Sequence, residues 1–117
     1  MDELTHLFKT LSDETRMRIL VLLYHKELCV CQLQGILEAP QPKISKHLSK
    51  LKDKGFVKDT RQEQFIFYYL NKENKFIQEL LENIILSIQD NPVLKNDVDR
   101  LGLSDTFINA QKQKKTK

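Results

Sequence analysis

Glycine and proline are scarce, three of each in 117 residues, which excludes a collagenous or loop-dominated chain. So few glycines leave little from which to build a phosphate-cradling nucleotide loop. Neither a nucleophile elbow nor a zinc-protease motif occurs, so the sequence does not read as an enzyme. No run reaches the roughly 18–20 apolar residues of a membrane span. Met1-Asp2-Glu3 opens the chain without the apolar stretch of a secretory signal. A cytoplasmic protein with no membrane partner is the expectation. Cysteine is limited to Cys29 and Cys31. A bridge between them would close a trivially short loop and restrain almost no unfolded-state entropy, so a disulfide scaffold is excluded. In a reducing compartment such paired thiols read first as metal-binding or redox groups.

What the chain does have is charge, unevenly placed. The formal net charge is +3, with 40% hydrophobic and 30% charged residues, a balance that fits one folded domain. Residues 1–40 carry four bases and six acids, and residues 62–110 four bases and eight acids. Between them, residues 41–61 carry seven bases and two acids, a local excess of five positive charges. The last seven residues add four lysines and no acid. A basic stripe between acidic segments fits a nucleic-acid contact, and equally a solvated lysine-rich helix face.

Apolar spacing supplies the elements. Leu4, Leu7, Phe8 and Leu11 predict a short first helix. Ser12-Asp13-Glu14 reads as a stop and restart, with Ser12 as cap and two acids at the positive end of the next helix dipole. That second helix runs to about Tyr24. A third helix presents Val30, Leu33, Ile36 and Leu37. Cys29 and Gln32 have the spacing of a capping box, although a thiol caps poorly, and such a local misfit marks a candidate functional position. Ala39-Pro40-Gln41-Pro42 ends this helix and starts a fourth, which buries Ile44, Leu48 and Leu51 and is closed by Gly55. Two β-rich runs flank the polar tetrad Arg61-Gln62-Glu63-Gln64 and read as a hairpin. A long helix from about Lys72 to Asp90 follows. It carries more apolar surface than so small a domain needs, which makes a homodimer the simplest partner. Residues 92–110 read as one or two short helices, and 111–117 as a disordered basic tail. The expected organisation is thus a DNA-binding and dimerisation domain over 1–91, a short helical extension over 92–110, and that tail.

A helix pair with a tight turn, a basic second helix and a hairpin directly after it is a winged helix-turn-helix. The fold class is mainly α with a small β-hairpin. The basic helix would enter the major groove, which admits a helix and distinguishes all base pairs. Gln41, Lys43, Ser45, Lys46 and His47 would face bases or adjacent phosphates. Lys50 and Lys52 would meet phosphate or solvent, and Arg61 would reach out from the hairpin tip.

Three ordered motifs resemble the ArsR/SmtB winged-helix repressors. They are Leu7-Phe8-Lys9-Thr10-Leu11-Ser12-Asp13-Glu14-Thr15-Arg16-Met17-Arg18-Ile19-Leu20, Glu27-Leu28-Cys29-Val30-Cys31 and Gln41-Pro42-Lys43-Ile44-Ser45-Lys46-His47-Leu48. The resemblance spans roughly residues 4–90. It implies a homodimer that binds double-stranded operator DNA and releases it when a metal or metalloid binds. Dimerisation through the terminal helices would use Leu4, Leu7, Phe76, Leu80, Ile84 and Ile88. The cysteine motif is similar to that of the arsenic and cadmium/lead branches, which implies Cys29 and Cys31 as ligands of As(III) or Sb(III), or of another thiophilic metal ion. The third cysteine of many arsenic-responsive members is Gln34 here. The long helix 72–90 has no histidine, so the zinc-type site of that helix is absent. Tyr69 stands where relatives often carry arginine in the wing.

Alternatives remain open at the level of the sequence. The two cysteines could be small buried apolar residues or a redox sensor. Residues i and i+2 do not share a face of an ideal helix, so joint ligation would require an irregular first turn. His25 could be a further ligand or an ordinary turn residue. The winged helix could bind a protein rather than DNA, a reading that salt-independent binding would favour.

Overall fold

The computed structural model describes residues 1–87 and 89–115, with side chains described through Gln111. Helix α1 (Asp2–Leu11) is followed by α2 (Glu14–His25), whose N-cap is Asp13: its carboxylate accepts the Arg16 N–H at 3.0 Å. A two-residue strand, β1 (Leu28–Cys29), leads into α3 (Val30–Leu37). Helix α4 (Gln41–Asp53) and the strands β2 (Val57–Gln62) and β3 (Phe65–Leu70) come next. Helix α5 (Lys75–Ser87), α6 (Pro92–Asp99), a 3-10 turn (Arg100–Leu103) and α7 (Ser104–Lys115) complete the chain.

Helices α3 and α4 form the helix-turn-helix, and the β2–β3 hairpin is the wing, as the sequence predicts. Ile44, Leu48 and Leu51 are fully buried and fix α4 against the core built from α2, α3, Phe56 and α5. Gly55 takes a φ of 76° beyond the end of α4, which lets the Phe56 N–H return to the Leu51 carbonyl at 3.0 Å.

Three local expectations are corrected. The sheet has three strands in the order β1-β3-β2, because Leu28 and Cys29 pair antiparallel with Tyr68 and Phe67. The wing turn is narrower than the tetrad Arg61–Gln64: β2 runs through Gln62, which pairs with Phe65, and Glu63 turns the chain at φ 57°. Helix α5 starts at Lys75, not Lys72, because the Asn74 carboxamide accepts the Ile77 N–H at 3.1 Å and caps the helix there. In the expected tail, residues 111–115 continue α7, and residues 116–117 lie outside the described residues.

The extension after residue 91 is bonded to the body. Asn91 caps α6 through the Val93 and Leu94 N–H groups, each at 3.1 Å. Asp97 is fully buried and receives both Nε and Nη2 of Arg18 at 2.8 Å, a bidentate pair between α6 and α2. Among the described residues no buried side-chain nitrogen or oxygen lacks a hydrogen-bond partner. No described helix is long and apolar enough to cross a membrane.

Candidate nucleic-acid interface and thiol site

The outer face of α4 follows from what its inner face must do. With Ile44, Leu48 and Leu51 inward, Gln41, Lys43, Lys46, Ser49 and Lys50 stand exposed, and Ser45 is half-buried. The Gln41 amide donates to the Ser45 hydroxyl at 2.8 Å, so these two expected base readers hold each other in the free protein. Lys52 is committed elsewhere, bonded at 3.1 Å to Asp59 of β2, and braces the wing against α4. Arg61 is exposed near the wing tip, its Nε donating to the Glu63 carbonyl at 3.4 Å.

His47 departs from the expected groove face. Its side chain is only 12% exposed and turns toward the start of α2. Nδ1 accepts from Nε of Arg16 at 3.1 Å, and Nε2 lies 4.0 Å from Asp13. Accepting from a guanidinium requires an unprotonated Nδ1. Burial lowers the His47 pKa most; Asp13 opposes this, while Arg16, Lys43 and Lys46 add to the lowering. At Asp13 burial works against ionisation. The Arg16 backbone N–H and the charges of His47 and Arg16 outweigh it and hold the carboxyl below its ordinary value. His47 thus ties α4 to α2.

The cysteines lie at the start of α3, the helix before α4. Cys29 is the N-cap of α3 and also the last residue of β1, with 1% exposure. Its backbone is extended, φ −86° and ψ 170°, so it stands outside the helical register. The ideal-helix relation of positions i and i+2 therefore does not apply to Cys29 and Cys31, since only Cys31 lies within α3. The hydrogen bond from Cys31 is the main cause that lowers the Cys29 pKa, to about 7, against burial and with help from the backbone N–H groups of Gln32 and Cys31. The same shared proton pushes the Cys31 thiol up. The lowered Cys29 pKa favours its thiolate, the form that binds soft metals. Cys31 is half-buried.

Gln32 completes the cap expected from its spacing. Its Oε1 accepts the Cys29 N–H at 2.9 Å, and its Nε2 donates to the Ser104 carbonyl of α7 at 3.2 Å. Arg100 donates to the carbonyls of Ile36 at 2.9 Å and Gly35 at 2.8 Å, satisfying the free C-terminal end of α3. At Gly35 the ring of Phe107 occupies the space that a Cβ would fill. These contacts with the extension were not foreseen, since Gln32–Ser104 and Arg100–Gly35 join residues 72 and 65 positions apart with no local pattern. Among the described residues no group of three or more His, Cys, Asp or Glu is arranged to hold a metal ion, so His25 does not join the cysteines.

The expected dimer residues divide. Leu4 and Phe76 are exposed, Leu7, Leu80 and Ile84 are half-buried, and Ile88 lies outside the described residues. Phe8 and Leu86, absent from that expectation, are more exposed than either Leu4 or Phe76, at 53% and 62%.

Residues 13–59, from the N-cap of α2 into the wing, match the model of the bacterial regulatory protein family arsR. The chain is 47% identical over 77 residues to the arsenic resistance transcriptional regulator ArsR2 of Pseudomonas putida, covering 64% of this chain and 67% of that protein. It is 47% identical over 66 residues to the arsenical resistance operon repressor of Escherichia coli, covering 56% of each. These alignments span about two thirds or less of the relatives' own length. The solved structure of HlyU from Vibrio cholerae superposes with a TM-score of 0.67 at 30% identity, covering 72% of this chain and 89% of that one.

Proposed function

The chain belongs to the ArsR family of bacterial regulatory proteins, and from that premise we propose that it is a homodimeric repressor that releases operator DNA on capturing As(III) or Sb(III). Helix α4 reads the major groove, with Gln41 and Ser45 toward base edges and Lys43, Lys46 and Lys50 toward phosphate. Arg61 adds a contact from the wing. The exposed apolar side chains of α1 and α5 supply the dimer contact. This is regulatory, not catalytic, chemistry, as befits the family.

One observation carries the inducer assignment: Cys29 is at once the cap of α3 and the strand partner of Phe67 in the wing. Helix α3 in turn packs on α4. Cys29 is thus paired directly with the wing strand β3 and linked through α3 to α4. Its donors fit a thiophilic trivalent ion: arsenous acid condenses with two thiols, two As–O bonds give way to two As–S bonds, and two waters leave without redox change. Bonding to both sulfurs displaces the shared proton and shifts the junction. An ion that prefers the DNA-free arrangement weakens DNA binding by the same coupling free energy.

The test is a titration of the reduced protein on its operator, followed by arsenite or antimonite. Release at stoichiometric metalloid supports the reading, and retention of the complex at saturating metalloid counts against it. The thiolate-prone Cys29 also favours a redox reading, in which mild oxidant releases DNA and reductant restores it without metal. Oxidation of the thiols without loss of DNA removes that alternative.

A further inference from the structure

Trivalent arsenic makes three bonds, and this chain brings two sulfurs to it. The position one turn after Cys31 is Gln34, and no third ligand group gathers there among the described residues. Cys29 is closed in by sheet and core. Cys31 is not: it lines a pocket of about 320 Å³ between α3 and α7, with Gln34, Gly35, Glu38, Phe107 and Gln111 among its walls.

We propose that this pocket admits a low-molecular-weight thiol, which supplies the third sulfur to arsenic held by Cys29 and Cys31. The inference rests on the inducer reading given above and names the missing ligand of that site. The volume is at the lower end of small-molecule sites, room for a thiol of a few heavy atoms to amino-acid size. The walls are mixed. Phe107 packed on Gly35 gives an apolar side for a short hydrocarbon stem, and the amides of Gln34 and Gln111 offer partners for its polar end. The outer wall is fixed, because Arg100 and Gln32 bond α3 to the 3-10 turn and to α7. Helix α7 is thereby part of the ligand site. The reaction balances without an oxidant: arsenous acid, two cysteine thiols and one free thiol give a trithiolate arsenic and three waters. Three As–O bonds break, three As–S bonds form, and each thiol proton leaves with a hydroxide.

The test uses the full chain, kept reduced with a phosphine so that no other thiol is present. It is loaded with one equivalent of arsenite, with or without 2-mercaptoethanol or free cysteine. X-ray absorption counts the sulfurs on arsenic, and the thiol retained after desalting is measured against arsenic. Without added thiol, two sulfurs and one oxygen are expected. With it, three sulfurs and one retained thiol per arsenic are expected, and half-release of operator at about tenfold less arsenite. Gln34→Cys gives three sulfurs with no added thiol and retains none. Ala110→Trp crowds the pocket and lowers the retained thiol while the two-sulfur complex still forms. Two sulfurs in wild type whatever the thiol concentration, with operator release intact, overturns the inference and leaves the inducer reading standing. Failure of arsenite to bind Cys29 and Cys31 at all overturns both.

Discussion

Cys29 and Phe67 are paired antiparallel in one short sheet, so the residue that caps α3 is stitched to β3, the wing strand at the middle of the sheet. Through α3, which packs on α4, the same residue is one element away from the basic reader helix. Cys29 thus joins α3 directly to β3.

Lys43 and Lys46 are exposed on α4 and form no ion pair among the described residues, whereas Lys52 is bonded to Asp59. Lys43→Ala and Lys46→Ala should each weaken operator binding and reduce the slope of log affinity against log salt by about one. Lys52→Ala should change that slope less and instead loosen the wing. Fluorescence anisotropy at several salt concentrations checks all three. Unchanged slopes for Lys43 and Lys46 would remove α4 from the phosphate backbone.

His47 supplies a pH dependence of known sign. Its folded pKa lies below the ordinary histidine value of about 6.5, so as pH falls through that value the unfolded chain takes up its proton first. Stability therefore declines from about pH 6.5 downward, until the folded pKa is passed and the loss levels off. Urea midpoints near neutrality and near pH 5.5 should differ less for His47→Gln than for wild type, at about the same protein concentration. An equal pH effect in both proteins would assign it to other groups.

The extension should behave as part of the fold. Asp97→Ala leaves Arg18 without its bidentate partner, with an expected loss of about 3 kcal/mol. Gln32→Ala removes two buried hydrogen bonds, one to Cys29 and one to Ser104, with an expected loss of about 1–3 kcal/mol. Denaturant unfolding reads both, and losses within about 0.5 kcal/mol of zero would mean that α6 and α7 are not docked as described.

Phe8 and Leu86 leave large apolar side chains in water on α1 and α5. Placing a charge at either, as Phe8→Glu or Leu86→Glu, should convert the proposed dimer to monomer by sedimentation and reduce operator affinity with it. A monodisperse dimer in both variants would move the interface elsewhere.

The sequence was most legible where periodicity is long. Ile44, Leu48 and Leu51 repeat at helical spacing, and all three are buried as expected. Gly55 beyond α4 and the β-rich runs about Glu63 marked the hairpin. Strand β1 was invisible, because two residues show no alternation and owe their conformation to Phe67 and Tyr68, some forty positions away. The wing turn was blurred because Glu63, not Gly or Asn, takes the positive φ. The cysteine pair could be found by its spacing alone, but the extended, strand-paired backbone of Cys29 could not. His47 shares its helix with the exposed lysines, and only the fold reveals that Arg16 and Asp13 draw it inward. Arg18–Asp97 spans 79 positions, beyond any local signal.

The most direct measurement is the ratio of operator affinities with and without arsenite, taken for wild type, Cys29→Ser and Cys31→Ser under reducing conditions. Wild type should lose affinity by a factor within the roughly 5–150-fold range of typical coupling, while each serine variant binds DNA normally and loses almost none. Serine variants that release DNA at the same arsenite concentration as wild type would contradict the assignment of Cys29 and Cys31 as the inducer site.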